Sequence, residues 1–154
     1  MIHVRFILEV NWGAQMKIST KGRYGLTIMI ELARKFGKGP TSLKSIADEK
    51  DLSTHYLEQL AAPLRNAGLI KSIRGAYGGY ILAKDPDLIN VGDVIRVLEG
   101  PITPVEGIED EEPAQQALWM RIRDVVKEVL DQTTLQDLIH HDNQDQQKEY
   151  MFYI

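Results

Sequence analysis

The chain contains no cysteine. That excludes disulfides, thiolate metal sites, cysteine-ligated iron–sulfur clusters and thiol redox sensing by its own side chains. Histidine is scarce as well. His3, His55, His140 and His141 are all there are, and none falls in an HExxH or comparable metal spacing. The adjacent His140 and His141 read as a polar helix end. No apolar run is long enough to span a bilayer. No nucleophile–base pair, phosphate loop or metal constellation emerges, so an enzyme is the weakest option and neither metal nor other cofactor is assigned. These absences fit a cytoplasmic protein.

What is present is unevenly distributed. Hydrophobic residues make up 44% of the 154, ordinary for a globular chain and enough for one substantial core. The net charge of −4 conceals two halves of opposite sign. Residues 16–84 hold 12 Lys+Arg against 5 Asp+Glu, and residues 85–154 hold 5 against 16. A basic front half joined to an acidic back half points to a polyanion-binding module with something else attached.

Residues 1–15 do not resemble the remainder of the chain. Their apolar stretch is short, their start is barely charged and no small-residue cleavage site comes after it, which argues against a signal peptide. Trp12-Gly13 must be encoded with a run of G bases shortly before the Met16 codon, where a bacterial ribosome-binding site would sit. The expectation is a non-native translated leader over 1–15 and a start at Met16. Beyond it the charge split divides the chain at residue 84 into an expected polyanion-binding domain, 16–84, and a second, acidic region, 85–154.

Ser19 or Thr20 caps a first helix to about Phe36, with Leu26, Met29, Ile30, Leu32 and Ala33 as its buried stripe. Gly37-Lys38-Gly39-Pro40 ends it. Ser42 caps a short helix with Leu43, Ile46 and Ala47 inward. Asp51-Leu52 turns the chain, and Ser53 caps a helix with Leu57, Leu60, Ala61 and Leu64 inward. Pro63 should kink or shorten that helix. Leu69–Ile73 and Tyr80–Ala83 read as two strands around a glycine-rich tip. Asn90, with Asp93 as in a capping box, opens a helix over Val91–Glu99. After the acidic, proline-bearing loop Gly100–Pro113 comes a long helix, Ala114–Asp131, striped by Leu118, Ile122, Val125, Val126, Val129 and Leu130. Thr133 or Thr134 caps a short last helix through Ile139. His140–Lys148 is expected to be polar and mobile, and the chain ends in an apolar tail, Tyr150–Ile154. The fold class is therefore mainly α with a small β-hairpin wing: a winged helix-turn-helix domain plus a long C-terminal dimerisation helix.

The second helix of a helix-turn-helix enters the major groove and offers its N-terminal residues to base edges. Here those are Ser53, Thr54, His55, Tyr56, Glu58 and Gln59, with Ser42 at the cap of the helix before. Gln pairs well with adenine, and Glu accepts from cytosine N4. Two short helices and a turn also occur in ordinary bundles, but the hairpin shifts the balance. Arg74 at its entry suits a narrow minor groove, Gly75 lets the tip approach a backbone, and Tyr77, Lys71 and Lys84 add phosphate contacts. Lys17, Lys21 and Arg23 flank the start of the first helix, as phosphate grips or as a solvated face.

Four segments then resemble the IscR/NsrR/CymR family of winged-helix transcription regulators: Met16–Leu26, Tyr56–Leu60, Leu64–Leu69 and Arg74–Tyr80. The likeness runs from Met16 to the end. Asp93–Ile102 and Tyr150–Ile154 are most similar to the CymR-type branch, repressors of cysteine metabolism. The resemblance implies a homodimer on a pseudo-palindromic operator in double-stranded DNA, with the long helix crossing its partner through Leu118, Ile122, Val125, Val126 and Val129. A helix packed only on its own domain is the alternative. Cluster-binding relatives carry cysteines in the loop before the long helix. Here Gly100–Pro113 has none, so iron–sulfur sensing is not carried over. The CymR-type branch acts with cysteine synthase (O-acetylserine sulfhydrylase), which captures C-termini ending in isoleucine. The resemblance thus implies that Met151, Phe152, Tyr153 and Ile154 bind that enzyme, whereas a buried chain end would explain the same residues. Direct sensing of a small ligand and a winged-helix protein-interaction module remain as alternatives.

Overall fold

The computed structural model describes residues 18–103 and 106–152. The expected leader, Lys17, Tyr153 and Ile154 lie outside the described residues. Six helices and one hairpin are arranged in the order α1 (Thr20–Arg34), α2 (Leu43–Lys50), α3 (Thr54–Asn66), β1 (Ile70–Ile73), β2 (Gly79–Leu82), α4 (Val91–Glu99), α5 (Pro113–Gln132) and α6 (Leu135–Phe152). Single 3-10 turns stand at Pro86–Leu88 and Ile108–Asp110. No helix among the described residues is long and apolar enough to cross a membrane.

Helices α1 to α3 form because their apolar residues recur at helical spacing, and short polar caps satisfy first-turn amides of α2 and α3. Ser42 Oγ accepts from Ser45 N–H at 3.1 Å and Ser53 Oγ from Tyr56 N–H at 3.3 Å, caps typically worth about 1 kcal/mol each. Asp51 ends α2 at a left-handed φ of 54°, which an aspartate tolerates better than most residues. The sharp reversal sends the chain straight into α3. Ile28, Met29, Leu32, Ile46, Leu57, Leu60 and Leu64 are fully buried together. In α1 the buried stripe includes Ile28, while Leu26 and Ile30 are half-buried, and the helix stops at Arg34, short of Phe36.

Pro63 does not break α3, which continues to Asn66. The proline removes the one bond its N–H would have given to the Gln59 carbonyl. Burial of Leu60, Ala61 and Leu64 on either side holds the last turn in place.

The hairpin is antiparallel, pairing Ile70 with Leu82 and Ile73 with Gly79. Its outer edge is extended by Thr41. Thr41 N–H donates to the Tyr80 carbonyl at 2.9 Å, and Tyr80 N–H donates back at 2.8 Å. This bridge fastens the wing to the segment that leads into α2.

The core does not stop at residue 84. Ile89, Val94, Leu98 and Leu135 belong to the same buried cluster as the helix-turn-helix residues. Asn90 caps α4 by accepting from Asp93 N–H at 2.8 Å, but the Asp93 carboxylate pairs with Arg96 rather than completing a capping box. Arg96 also reaches Asp131 of α5 at 2.5 Å.

The C-terminal segment differs from its sequence expectation. The last helix does not end at Ile139: α6 continues to Phe152, so the stretch from His140 to Lys148 is helical. Two physical reasons account for it. The run contains neither glycine nor proline, and Asp142 pairs with Arg34 of α1. Arg34 also pairs with the buried Glu31, which Lys50 of α2 approaches at 3.2 Å. Burial works against the Arg34 charge, but the hydrogen bond to Asp142 and the neighbouring Glu31 outweigh it and raise the pKa.

At its start α6 has a reciprocal cap. Asp137 N–H donates to Thr134 Oγ1 at 3.1 Å, and Thr134 N–H donates to Asp137 Oδ2 at 2.9 Å. The backbone bond from Thr134, then its hydroxyl, hold the Asp137 carboxyl below the usual value of 3.8. A carboxylate depressed in the folded state contributes stability above its unfolded pKa and loses it as pH falls through the folded one. Asp137→Asn is therefore expected to melt at a lower temperature than the parent chain at neutral pH. The two curves should converge only below 3.8. Equal melting temperatures across the whole range would show that the cap contributes nothing.

Candidate nucleic-acid interface

The residues read as DNA contacts separate into three groups in space. Along α3 the chain alternates between inward Leu57, Leu60, Ala61 and Leu64 and an outward row. His55, Glu58 and Gln59 are exposed on that row, and Thr54 is half-exposed. His55 Nε2 and Gln59 Nε2 lie 3.2 Å apart, one helical turn from each other, so the two side chains form a single polar unit. Ser53 stands at the N-cap with its hydroxyl oxygen already accepting from Tyr56 N–H. Ser42 plays the same part for α2. Both serines retain a hydroxyl hydrogen for an acceptor such as a phosphate oxygen.

Tyr56 is placed differently from its neighbours. Its ring packs edge-on to that of Tyr24 in α1, with centroids 5.8 Å apart and planes at 81°. Its ring therefore braces α3 against α1, and Tyr24, which sequence reasoning passed over, is its support. The signal was available only as two aromatics 32 positions apart, which no local pattern connects.

The second group is the wing. Arg74 and Gly75 are exposed, and Tyr77 is 95% exposed, the most prominent apolar side chain on the described surface. Gly75 has φ 123°, a conformation that disfavours any side chain, and a Cβ there would meet nothing within 4 Å. The tip is thus open around Gly75. Gly78 N–H closes the turn onto the Gly75 carbonyl at 3.0 Å. The third group is the first turn of α1, where Lys21 and Arg23 are exposed.

Helix α5 buries none of its residues within the subunit. Leu118, Ile122, Val125 and Val129 fall within an arc of about 60° on its surface. Leu118, Val125 and Val129 are at least half exposed, and Ile122 is half-buried. Val126 belongs elsewhere: with Leu130 it packs on Val91, Ile95 and Ile102 of its own chain. The sequence stripe is two adjacent faces, one inward and one uncovered.

Comparison with known proteins decides the family. The family model for Rrf2, an iron-dependent transcriptional regulator, matches residues 18–141. The chain is 72% identical over 139 residues to the transcriptional regulator CymR of Bacillus subtilis, covering 90% of this chain and all of that one. The chain belongs to the Rrf2 family.

Its fold agrees with the solved structure of CymR, the global cysteine regulator of B. subtilis, at a TM-score of 0.78 and 74% identity, covering 82% of this chain and 98% of that one. A more distant Rrf2 relative, the regulator IscR of Sodalis glossinidius, is 35% identical over 133 residues, 82% of this chain and 81% of that one. Like these relatives, the chain is a DNA-binding transcriptional regulator rather than an enzyme, built on the winged-helix fold. The iron dependence in the Rrf2 description does not fit the residues present. No thiolate exists to hold a cluster, and no group of three or more His, Asp or Glu among the described residues could hold a metal ion.

Proposed function

We propose that this Rrf2 regulator is a homodimeric repressor of cysteine- and sulfur-metabolism genes, acting by occupying pseudo-palindromic operators. The observation that carries the reading is the 72% identity to B. subtilis CymR along that relative's whole length. Helix α3 presents Thr54, His55, Glu58 and Gln59 to the major groove. The wing, through Arg74, Gly75 and Tyr77, reaches the adjacent minor groove, and Lys21 and Arg23 grip phosphates. The uncovered face of α5 pairs with its copy in a second subunit, which sets two recognition helices on two half-sites.

The signal enters through a protein partner, cysteine synthase, which binds the C-terminal tail. Backbone continuity supports this route: Met151 and Phe152 lie in the last turn of α6, and α6 is tied to α1 through Asp142 and Arg34. The test is fluorescence anisotropy of promoter DNA from a cysteine-uptake gene, titrated with the full chain with and without cysteine synthase. Tighter, sequence-specific binding with the enzyme is expected, and deleting Ile154 should abolish the gain while leaving the circular dichroism spectrum unchanged. Specific binding indifferent to the enzyme would remove the partner from the mechanism.

One observation favours a second reading, direct sensing of a small ligand. A cavity of about 290 Å³ lies between the end of α1 and the wing, lined by Leu32, Phe36, Tyr80, Ile81 and Leu82. Thr41 also lines it, and the Thr41 hydroxyl is buried without a hydrogen-bond partner among the described residues.

A further inference from the structure

Ser19 stands at the N-cap of α1 with extended backbone, yet its side chain accepts no bond from the helix it opens, and no acidic residue occupies the first turn. The anchor comes from 80 positions away. Glu99, the last residue of α4, accepts on Oε1 from Ser19 N–H at 2.5 Å and from Gly22 N–H at 3.3 Å. The Ser19 hydroxyl donates to the same oxygen. A carboxylate placed there also supplies the negative charge that a helix N-terminus favours.

The close approach depends on two glycines. A Cβ on Gly22 would lie 2.9 Å from the Glu99 carboxyl, and one on Gly25 would lie 1.9 Å from Leu98 Cδ1. The end of α4 therefore fits against the first two turns of α1, with Leu98 buried at 4% exposure and Glu99 across the helix mouth.

We infer that Glu99 is a positioning residue for DNA binding. It does not touch DNA; it fixes the first turn of α1, which carries Lys21 and Arg23. Without the cap, the backbone amides at the start of α1 lose their anchor and the turn frays. Cations on a frayed turn must be ordered at the moment of binding, which weakens their phosphate contacts. The inference rests on the proposed role of Lys21 and Arg23. It also explains why Glu99, in the acidic half of the chain, serves the basic half.

The experiment measures affinity of the full chain for a labelled random-sequence duplex over a range of salt, by anisotropy. Glu99→Ala and the pair Lys21→Ala, Arg23→Ala are made separately and together. Glu99→Ala is expected to bind about ten-fold more weakly at low salt, with a salt slope shallower by roughly one per displaced cation. The cation pair should lose a comparable amount, and adding Glu99→Ala to it should change affinity by less than about two-fold. Glu99→Gln, which keeps an acceptor oxygen, should bind within about two-fold of the parent chain. A general structural role for Glu99 would leave the slope unchanged and add to the cation pair. Should Glu99→Ala not fold, Ser19→Pro removes the Ser19 donors from the other side, at a φ of −68° that proline accepts, and should reproduce the shallower slope. If the cation pair weakens binding while Glu99→Ala and Ser19→Pro keep the parent slope, the inference falls and the α1 contact stands. If the cation pair itself binds like the parent chain, the α1 contact falls and takes the inference with it.

Discussion

A chain carrying Val125→Lys and Val129→Lys is expected to run as a monomer in sedimentation velocity and to lose operator affinity by a factor on the order of 10²–10⁴. The two side chains are 51% and 58% exposed in the single subunit, so placing lysines there costs the subunit little. In a symmetric dimer the same substitutions bring like charges together across an apolar seam, and they occur twice. Losing the dimer turns one bivalent binding event into two independent weak ones, which is the origin of the factor. The circular dichroism spectrum and the buried cluster around Ile28 and Leu57 should be unaffected. A variant that remains dimeric and binds operator as before would show that subunits meet elsewhere than on α5.

Gly79→Ala is expected to lower the melting temperature by about 5–10 °C and to weaken DNA binding with it. A Cβ on Gly79 would lie 2.4 Å from the Thr41 carbonyl oxygen, 2.5 Å from its carbon and 2.8 Å from Ser42 N. These are backbone atoms, and they cannot yield without opening the paired bonds between Thr41 and Tyr80. Overpacking of this kind costs about 2–3 kcal/mol, which for a chain of this length gives the stated shift. The wing would swing away from α2, carrying Arg74 and Tyr77 with it. Arg74→Ala is the control that separates the two causes. Arg74 is exposed, so its melting temperature should stay within about 1 °C of the parent, while operator affinity falls by about 1–3 kcal/mol if the contact is specific. If Gly79→Ala binds DNA and melts like the parent, the wing is not held as described.

The legible parts of this protein were those set by neighbouring residues. Ser42 and Ser53 announce their helices because a cap acts within three positions, and both hold the amides their spacing implies. Leu57, Leu60, Ala61 and Leu64 declare an inward face, which leaves His55, Glu58 and Gln59 outward. The three glycines after Arg74 mark the hairpin for the same local reason.

Other features depend on groups far apart in the chain. Ser19 is a competent cap by type, but the start of α1 is held by Glu99. Tyr56 has the look of a groove contact, and Tyr24 draws its ring into packing. The stripe on α5 is continuous in sequence, yet α4 covers Val126 and Leu130 and leaves Leu118, Val125 and Val129 open. The polar run after Ile139 has no apolar period to announce a helix, and its pairing with α1 comes from Asp142 meeting Arg34 108 positions away.

The amino-acid sequence by itself determined the winged-helix class, the capped helices α2 and α3 with the inward face of α3, the hairpin and the lack of cysteine thiolates, because propensity, capping, period and composition are properties of short stretches. Only the tertiary structure decided which end of α1 is anchored by α4, which face of α5 is left uncovered and how far α6 extends. Each of those depends on a contact between side chains that the backbone brings together only once the core around Ile28, Leu57 and Leu135 has closed.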